Sequence, residues 1–227
     1  MHFIILGALI VFIVFGPQWW VRRTLQQYSN DRKEMPGTGG ELATHLIDRF
    51  QLKDVTVHQG QPGDDFYDPD TRQISLSPNH FNGRSVAAVA VAAHEVGHAL
   101  QHQEGHSGFL SRQKRIRLAM MIERFSAIAL MISPVLLLIT RVPQSTLLTL
   151  AIGMTGMLAS VWVQWQNLPV ELDASFNKAM PILAEGYLPT SDLPGARKVL
   201  KAAAYTYFAA AIASLLNLGR WIAVFRR

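Results

Sequence analysis

The sequence predicts a mainly α-helical integral membrane protein with about four transmembrane helices and a polar α+β insert. Hydrophobic residues make up 49% of the 227 residues, a share close to that of soluble proteins. They are concentrated in long apolar runs, however, and the stretches between these runs hold most of the charge. This alternation is typical of a membrane protein with a soluble insert.

The first apolar run, Phe3 to Trp20, would span about 27 Å as a helix, close to the thickness of the hydrocarbon core. No basic residue precedes it and no Ala-x-Ala-like site follows it, so we expect a retained anchor and not a cleaved signal peptide. Two later runs, joined by a short turn at residues 141–144, predict a transmembrane hairpin. The predicted segments are transmembrane helix 1 at residues 3–20, the insert at 21–117, helix 2 at 125–140, helix 3 at 146–165, a polar segment at 166–201 and helix 4 at 202–225.

The distribution of basic residues predicts which side of the membrane each polar segment faces. Of the 21 Lys and Arg residues, thirteen lie between Arg22 and Arg124 and four between Trp165 and Lys201. Basic residues close to the ends of spans favour the cytoplasmic side. We therefore expect both polar segments to be cytosolic and both chain ends to lie outside.

Charge and cysteine content narrow the partners and cofactors. The net charge is +5, but the basic residues gather beside the apolar runs, which favours contact with the lipid bilayer and predicts no nucleic acid partner. The chain has no cysteine, so a metal site would rest on His and carboxylate ligands. The sequence leaves open the oligomeric state and a regulatory membrane partner.

Within the insert, the spacing of apolar residues predicts a helix over Gly40 to Phe50 and short strands over Asp54 to His58 and Gln73 to Ser77. The Ala/Val-rich stretch from Ser85 to His102 predicts a buried helix, with Asn82 or Ser85 as its cap. Gly97 should cost that helix about 1 kcal/mol. The insert is therefore predicted to mix helices and strands.

The buried helix carries the motif His-Glu-x-x-His. His94 and His98 lie four residues apart and can bind one zinc ion from the same face of a helix, and Glu95 is then placed to act on the bound water. A catalytic zinc site needs three protein ligands and an open position for water. The motif thus predicts a zincin-like metalloprotease insert and requires a third ligand from elsewhere in the chain.

Few residues qualify as that third ligand. The metzincin pattern would need Gly at 101 and His at 104, where this chain has Gln101 and Glu104. His102 lies about 12 Å along the helix from His94, too far to share one ion. His80 is close to the motif in sequence and stays a candidate. Glu171 is the strongest candidate: we expect it to open a helix after Pro169, and an even number of spans separates it from His98.

Asp173 should point away from Glu171 on a helix, so it is a candidate partner of a ligand histidine. The alternative is that Asp173 is a simple acid in the first helical turn.

Several segments of the chain resemble a known family, the YugP-type neutral zinc metallopeptidases, and the resemblance covers nearly the whole chain. It rests on Tyr67-Asp68-Pro69, Ile74-Ser75-Leu76-Ser77, Asn82-Gly83-Arg84-Ser85, Ala87 to Gln101 and Pro169 to Ser175.

The resemblance implies a zinc metalloendopeptidase of the gluzincin type, similar to HtpX-like proteases. It implies one zinc ion per chain held by His94, His98 and Glu171, protein or peptide substrates, and a bacterial inner membrane location, where the basic residues predict a cytosolic active site. In the HtpX-like pattern an Asp lies four residues after the glutamate, where this chain has Ser175. We expect Asp173 to take over that role.

As a mechanism, we expect Glu95 to take a proton from zinc-activated water and pass it to the leaving amine. The strand from Gln73 to Ser77, with Ser75 as a substrate-binding candidate, should offer its edge to an extended substrate. His80, Asn79 and Tyr67 are candidate oxyanion donors. One rival is a non-proteolytic membrane scaffold with structural zinc, closed by His80 or His102. A second is a lipid-surface regulator acting through Arg112, Lys114, Arg115 and Arg117.

Overall fold

The structure is a computed structural model that describes the backbone of residues 2–141 and 143–225. It is mostly helical with one small sheet, which agrees with the predicted predominance of helices and the few predicted strands. The elements are α1 His2–Gln27, α2 Gly39–Arg49, β1 Thr56–Gln59, β2 Phe66–Asp68, β3 Gln73–Leu76, α3 Pro78–Phe81, α4 Val86–Gln103, α5 Ser107–Thr140, α6 Pro143–Asp173, the π-helical segment π1 Ala174–Ala179, α7 Met180–Ile182, the π-helical segment π2 Leu183–Tyr187 and α8 Leu193–Phe225.

The chain forms two compact units. The first consists of Met1–Gln18, Ser111–Asn167 and Tyr207–Arg227, which are parts of the long helices α1, α5, α6 and α8. The second consists of Trp19–Leu110 and Leu168–Thr206 and contains the sheet, α2, α4 and π1. The polar insert and the second polar segment of the sequence therefore fold largely together.

The first unit carries its apolar side chains on the outside. Among the described residues, two helices are long and apolar enough to cross a membrane, one at Ser107–Thr140 and one beginning at Leu147. Leu138 is 77% exposed and Phe125 68%, a distribution that suits lipid better than water. The predicted spans in α1 and α8 fall largely on residues whose side chains lie outside the described part of the structure.

Small and polar side chains pack inside this unit. A Cβ atom on Gly156 would lie 2.0 Å from Ser126 Oγ, so α5 and α6 approach each other closely at this point. Arg112 is buried over the ring of Tyr207, and Arg115 donates hydrogen bonds to Asn167 Oδ1. Two of the four basic residues proposed as a lipid-binding group are therefore engaged within the protein.

The long helices extend beyond the predicted spans. Helix α5 begins at Ser107, well before the apolar run, and α6 continues to Asp173 with Pro169 inside it. The expectation that Glu171 opens a new helix was therefore wrong. Hydropathy reflects the surroundings of a helix and does not show where its backbone ends. A proline inside a helix removes only one main-chain donor. The polar stretch after the apolar run therefore continues as the same helix.

The second unit contains the predicted helix α2 and a three-stranded sheet. Thr38 and Glu41 form a reciprocal capping box at the start of α2. The predicted strands are present as β1 and β3, whereas β2 was not predicted because its three residues run into the turn at Asp68-Pro69-Asp70. Strand β1 is parallel to β3, and β2 is antiparallel to β3.

The strand order places β3 in the middle of the sheet. The order is β1-β3-β2, so β3 pairs on both sides, and Ser75 lies opposite His58 on one side and Phe66 on the other. Ser75 is also buried. The expectation that the strand from Gln73 to Ser77 offers a free edge was therefore wrong, and Ser75 does not lie at an edge where a substrate could pair with it. Among the described strands, β1 and β2 form the edges.

Helix α4 is the central element of the second unit. Ser85 caps its N-terminus by accepting a hydrogen bond from Ala88 N at 3.1 Å, which decides between the two predicted caps. Every residue from Val86 to Gln101 is buried, although the stretch contains His94, Glu95 and His98. Burial of charged or polar groups is costly unless they find partners. These three side chains are therefore placed by the surrounding protein and not by solvent.

Gly97 allows π1 to pack directly on α4. A Cβ atom at this position would lie 2.8 Å from the Ala174 carbonyl oxygen and 3.3 Å from Lys178 Cβ. Lys178 also forms an ion pair with Glu104 at the end of α4. The glycine that weakens the isolated helix thus permits the contact that brings the segment after Glu171 against the two histidines.

Gly97→Ala should separate α4 from π1 even though alanine favours the helix by about 1 kcal/mol. The added methyl group would contact main chain that has no side-chain freedom to move away. We expect a lower thermal midpoint in detergent together with weaker zinc binding, measured by calorimetry and by competition with a chelator.

Gly16→Ala is a matched control, because the nearest atoms to a Cβ at Gly16 lie at an ordinary 3.9 Å. Equal behaviour of the two variants would contradict the role assigned to Gly97.

Candidate metal centre

The structure brings His94, His98 and Glu171 together, as the sequence predicts. Each offers one donor atom, and the three atoms all lie within 4.8 Å of one another. Glu171 Oε2 is 3.3 Å from His94 Nε2 and 3.1 Å from His98 Nε2, and each side chain is at most 3% exposed. The histidines are one turn apart on α4, while Glu171 lies near the end of α6.

His98 is oriented by Gln101, a residue that sequence reasoning did not identify. Gln101 Nε2 donates to the Val170 carbonyl at 2.9 Å and to Asp173 Oδ2 at 2.8 Å, which fixes the amide orientation. Gln101 Oε1 must then accept from His98 Nδ1, at 2.9 Å. In the neutral ring, His98 Nε2 consequently carries a lone pair and turns it towards Glu171.

This donor set fits zinc. Two imidazole nitrogens and one carboxylate oxygen are the three protein ligands of many catalytic zinc sites, which leave a fourth position for water or substrate. The buried carboxylate and the lone pair of His98 converge on one point, and a cation there would compensate for bringing these acceptor atoms together. Glu95, the neighbour of His94 on α4, is 4% exposed.

Asp173 acts on His98 through Gln101. Its Oδ2 accepts from Gln101 and its Oδ1 accepts from Asn177 Nδ2 at 2.7 Å. Burial tends to raise the pKa of Asp173, but the hydrogen bonds from Gln101 and Asn177 outweigh it and lower the pKa. The structure thus links Asp173 to His98 through one intervening side chain, Gln101.

Ser175 contacts His94 directly. Its Oγ lies 3.0 Å from His94 Nδ1 and 3.0 Å from the Leu200 carbonyl oxygen. From the sequence, Asp173 was expected to take over the role of this position, because a serine replaces the Asp of the HtpX-like pattern. In the structure the serine itself reaches the histidine, and the signal that could have shown this is the shared position four residues after Glu171.

The other candidate residues lie in separate contacts. His80 Nδ1 is 2.9 Å from Asp65 Oδ2 and 3.0 Å from Ser77 Oγ, so His80 belongs to a cluster with the loop before β2. The Tyr67 hydroxyl is 2.9 Å from His102 Nδ1, and burial lowers the pKa of His102. Neither His80 nor His102 belongs to the donor group found among the described residues.

Comparisons with known proteins place the chain in a family. Residues 3–226 match the model of a family described as "Putative neutral zinc metallopeptidase". The chain belongs to this family. It is also 35% identical over 226 residues to a protein of Bacillus subtilis (strain 168) described as "Putative membrane protease YugP", an alignment that covers 99% of this chain and 97% of that protein. No solved structure matches the chain.

Gln101→Ala should weaken zinc binding about 10- to 100-fold, because partners that orient a ligand histidine typically contribute that much to metal affinity. The measurement is competition with a chelator on purified protein. Gln103→Ala is the control, since Gln103 lies on the last turn of the same helix and is exposed. Unchanged affinity in Gln101→Ala would contradict the orientation argument.

Asp65→Asn should destabilise the protein only where the Asp65 carboxyl is ionised. Burial alone would raise the pKa of Asp65, but the hydrogen bonds and charge of His80, with hydrogen bonds from Ser77, lower it below 3.8. A group with a lowered pKa in the folded state stabilises the fold above its unfolded pKa and loses this effect as pH falls through the folded pKa.

The difference in thermal midpoint between wild type and Asp65→Asn should therefore be present in the mildly acidic range above pH 3.8 and should shrink as the pH falls below it. A difference that grows on acidification would show that the sign is wrong.

Proposed function

We propose that the protein is a membrane-bound zinc metalloendopeptidase that hydrolyses peptide bonds in protein substrates at the cytosolic membrane face. The observation that carries the proposal is the buried donor group of His94, His98 and Glu171 on a helix that also carries Glu95. Membership of the neutral zinc metallopeptidase family supports it. A zinc site whose third ligand is a glutamate from a later helix is of the gluzincin type.

The chain's own residues divide the work of hydrolysis between them. Zinc, when bound by His94, His98 and Glu171, supplies Lewis acidity that lowers the pKa of a water molecule towards about 7 and polarises the substrate carbonyl. Glu95 accepts the proton of the attacking water and passes it to the leaving nitrogen, so the carboxylate is regenerated in each turnover. Gln101 keeps the His98 ring in place throughout.

The contacts of the candidate fourth ligands favour a catalytic zinc site over a structural one. A structural zinc site closes its fourth position with another protein ligand and has no use for a general base. His80 and His102 were the candidates for closure, and they contact Asp65 and Tyr67 instead. The scaffold alternative therefore loses both of its predicted fourth ligands.

An extended substrate is proposed to pair with β2. This strand lies at an edge of the sheet, and its Tyr67 contacts His102 on the helix that carries His94 and His98. Main-chain pairing with a sheet edge gives affinity that depends little on sequence. Because the Tyr67 hydroxyl is engaged with His102, it is a weaker choice of oxyanion donor than the sequence suggests.

The proposed membrane arrangement has four spans, with both polar segments on the cytoplasmic side of a bacterial inner membrane. The two long apolar helices and the exposed apolar side chains of the first unit support it, as does the description of the Bacillus subtilis relative as a membrane protease. Two spans lie between His98 and Glu171, so both ligand segments reach the same side. Lys114 and Arg117 would lie near anionic headgroups at the start of the hairpin.

Zinc content and casein cleavage should be measured together on detergent-purified wild type, His98→Ala, Glu171→Gln and Glu95→Gln. We expect about one zinc per chain in wild type and Glu95→Gln, and substantially less in the other two variants. Cleavage should fall by at least about 100-fold in Glu95→Gln, because the base is lost while the metal remains.

Full zinc and activity in Glu171→Gln would remove Glu171 from the ligand set. Zinc-loaded wild type without peptidase activity on casein or on denatured membrane proteins would favour the scaffold.

A further inference from the structure

The contact between Ser175 and His94 decides where the His94 proton lies. Ser175 is completely buried, and its hydroxyl oxygen has two neighbours at 3.0 Å, His94 Nδ1 and the Leu200 carbonyl oxygen. A serine hydroxyl has one proton to donate and two lone pairs that can accept. The two neighbours therefore compete for a single proton.

Only one assignment satisfies both contacts. The Leu200 carbonyl can accept but cannot donate, so its contact with Ser175 is a hydrogen bond only when the hydroxyl proton points towards it. The hydroxyl oxygen must then accept from His94, whose ring proton lies on Nδ1. His94 Nε2, 3.3 Å from Glu171 Oε2, is left with a lone pair that can bind a metal.

We propose that Ser175 is a positioning residue that holds His94 in its metal-binding tautomer, and that the Leu200 carbonyl of α8 sets the direction of the serine hydroxyl. This inference rests on the metal centre of the proposed function and goes beyond it by adding α8 to the elements that prepare the site. The arrangement matches that of His98, where Gln101 takes the corresponding place. Both histidines are thus oriented directly by neutral side chains.

Helix α8 therefore contributes to the site without contributing a ligand. Leu200 is fully buried, and α8 continues from Leu193 to Phe225, with the predicted fourth span starting two residues after Leu200. The sequence gives no sign of this role because a main-chain carbonyl leaves no residue type to recognise. The contact at Leu200 is made by a main-chain carbonyl, which a substitution cannot remove. Ser175, which connects this carbonyl to His94, can be substituted.

The first test is the tautomer of His94 in metal-free wild-type protein, read from nitrogen chemical shifts of the labelled imidazole at a pH where the ring is neutral. We expect the proton on Nδ1. A proton on Nε2 would overturn the proposal whether or not the protein binds zinc or cleaves peptides, and this measurement requires no variant to fold.

The second test is zinc affinity in Ser175→Ala, Ser175→Thr and Ser133→Ala, measured by chelator competition beside circular dichroism of the metal-free proteins. Ser175→Ala should bind zinc about 10- to 100-fold more weakly with an unchanged fold, and Ser175→Thr, which keeps the hydroxyl, should recover most of the loss. Ser133→Ala removes an equally buried hydroxyl from α5 in the first unit and should have no effect.

Wild-type affinity in Ser175→Ala would overturn the proposal. A wild-type protein that binds zinc tightly, loses affinity in Ser175→Ala and cleaves nothing would support the positioning role while contradicting the proposed function, so the two failures are distinguishable.

Discussion

The candidate metal centre depends on the close approach of π1 to α4 at Gly97. Two histidines on a helix supply only two ligands, and the third must come from a segment that passes within contact distance of the same turn. Gly97 removes the side chain that would keep Ala174 away, and Gln101 links the two segments through the Val170 carbonyl and Asp173. The metal-binding geometry is therefore a result of helix packing.

The π-helical conformation of residues 174–179 fits this role. π-helical turns are rare overall, but those that occur are often found at functional sites, because they rotate side chains relative to a regular α-helix. Here the segment starts directly after Asp173 and presents Ser175 to His94 while its carbonyl at Ala174 faces Gly97. The residues after Glu171 thus serve both packing and ligand orientation.

The sequence predicted which donor residues come together, His94, His98 and Glu171, and missed the contacts that support them. The spacing of His94, Glu95 and His98 follows directly from helix geometry, and the apolar run from Val86 onwards identified α4 and its burial. Gln101, Ser175 and the Leu200 carbonyl escaped prediction because their role exists only once α4, π1 and α8 are packed together. Composition cannot distinguish a glutamine that fixes a histidine from one on a surface.

The errors concern backbone continuity and strand order. Pro169 and the change from apolar to polar residues suggested a break, yet α6 continues through both. The central position of β3 became visible only with β2, a strand of three residues that carries too short a pattern to detect. Neither error changed which residues are proposed as ligands. The choice of ligands depends on the chemistry of the donor atoms, whereas the position of a strand in a sheet depends on its pairing with distant segments.

The order of the ligands along the chain has a consequence for biosynthesis. His94, Glu95 and His98 precede both long apolar helices, and Glu171 lies near the end of the second one, α6. A growing chain that has been translated only as far as the turn between α5 and α6 holds Glu95 and the two histidines but not Glu171, Ser175 or Leu200. The proposed donor set is therefore complete only after α6 has been made, and under the proposed function an interrupted chain would lack peptidase activity.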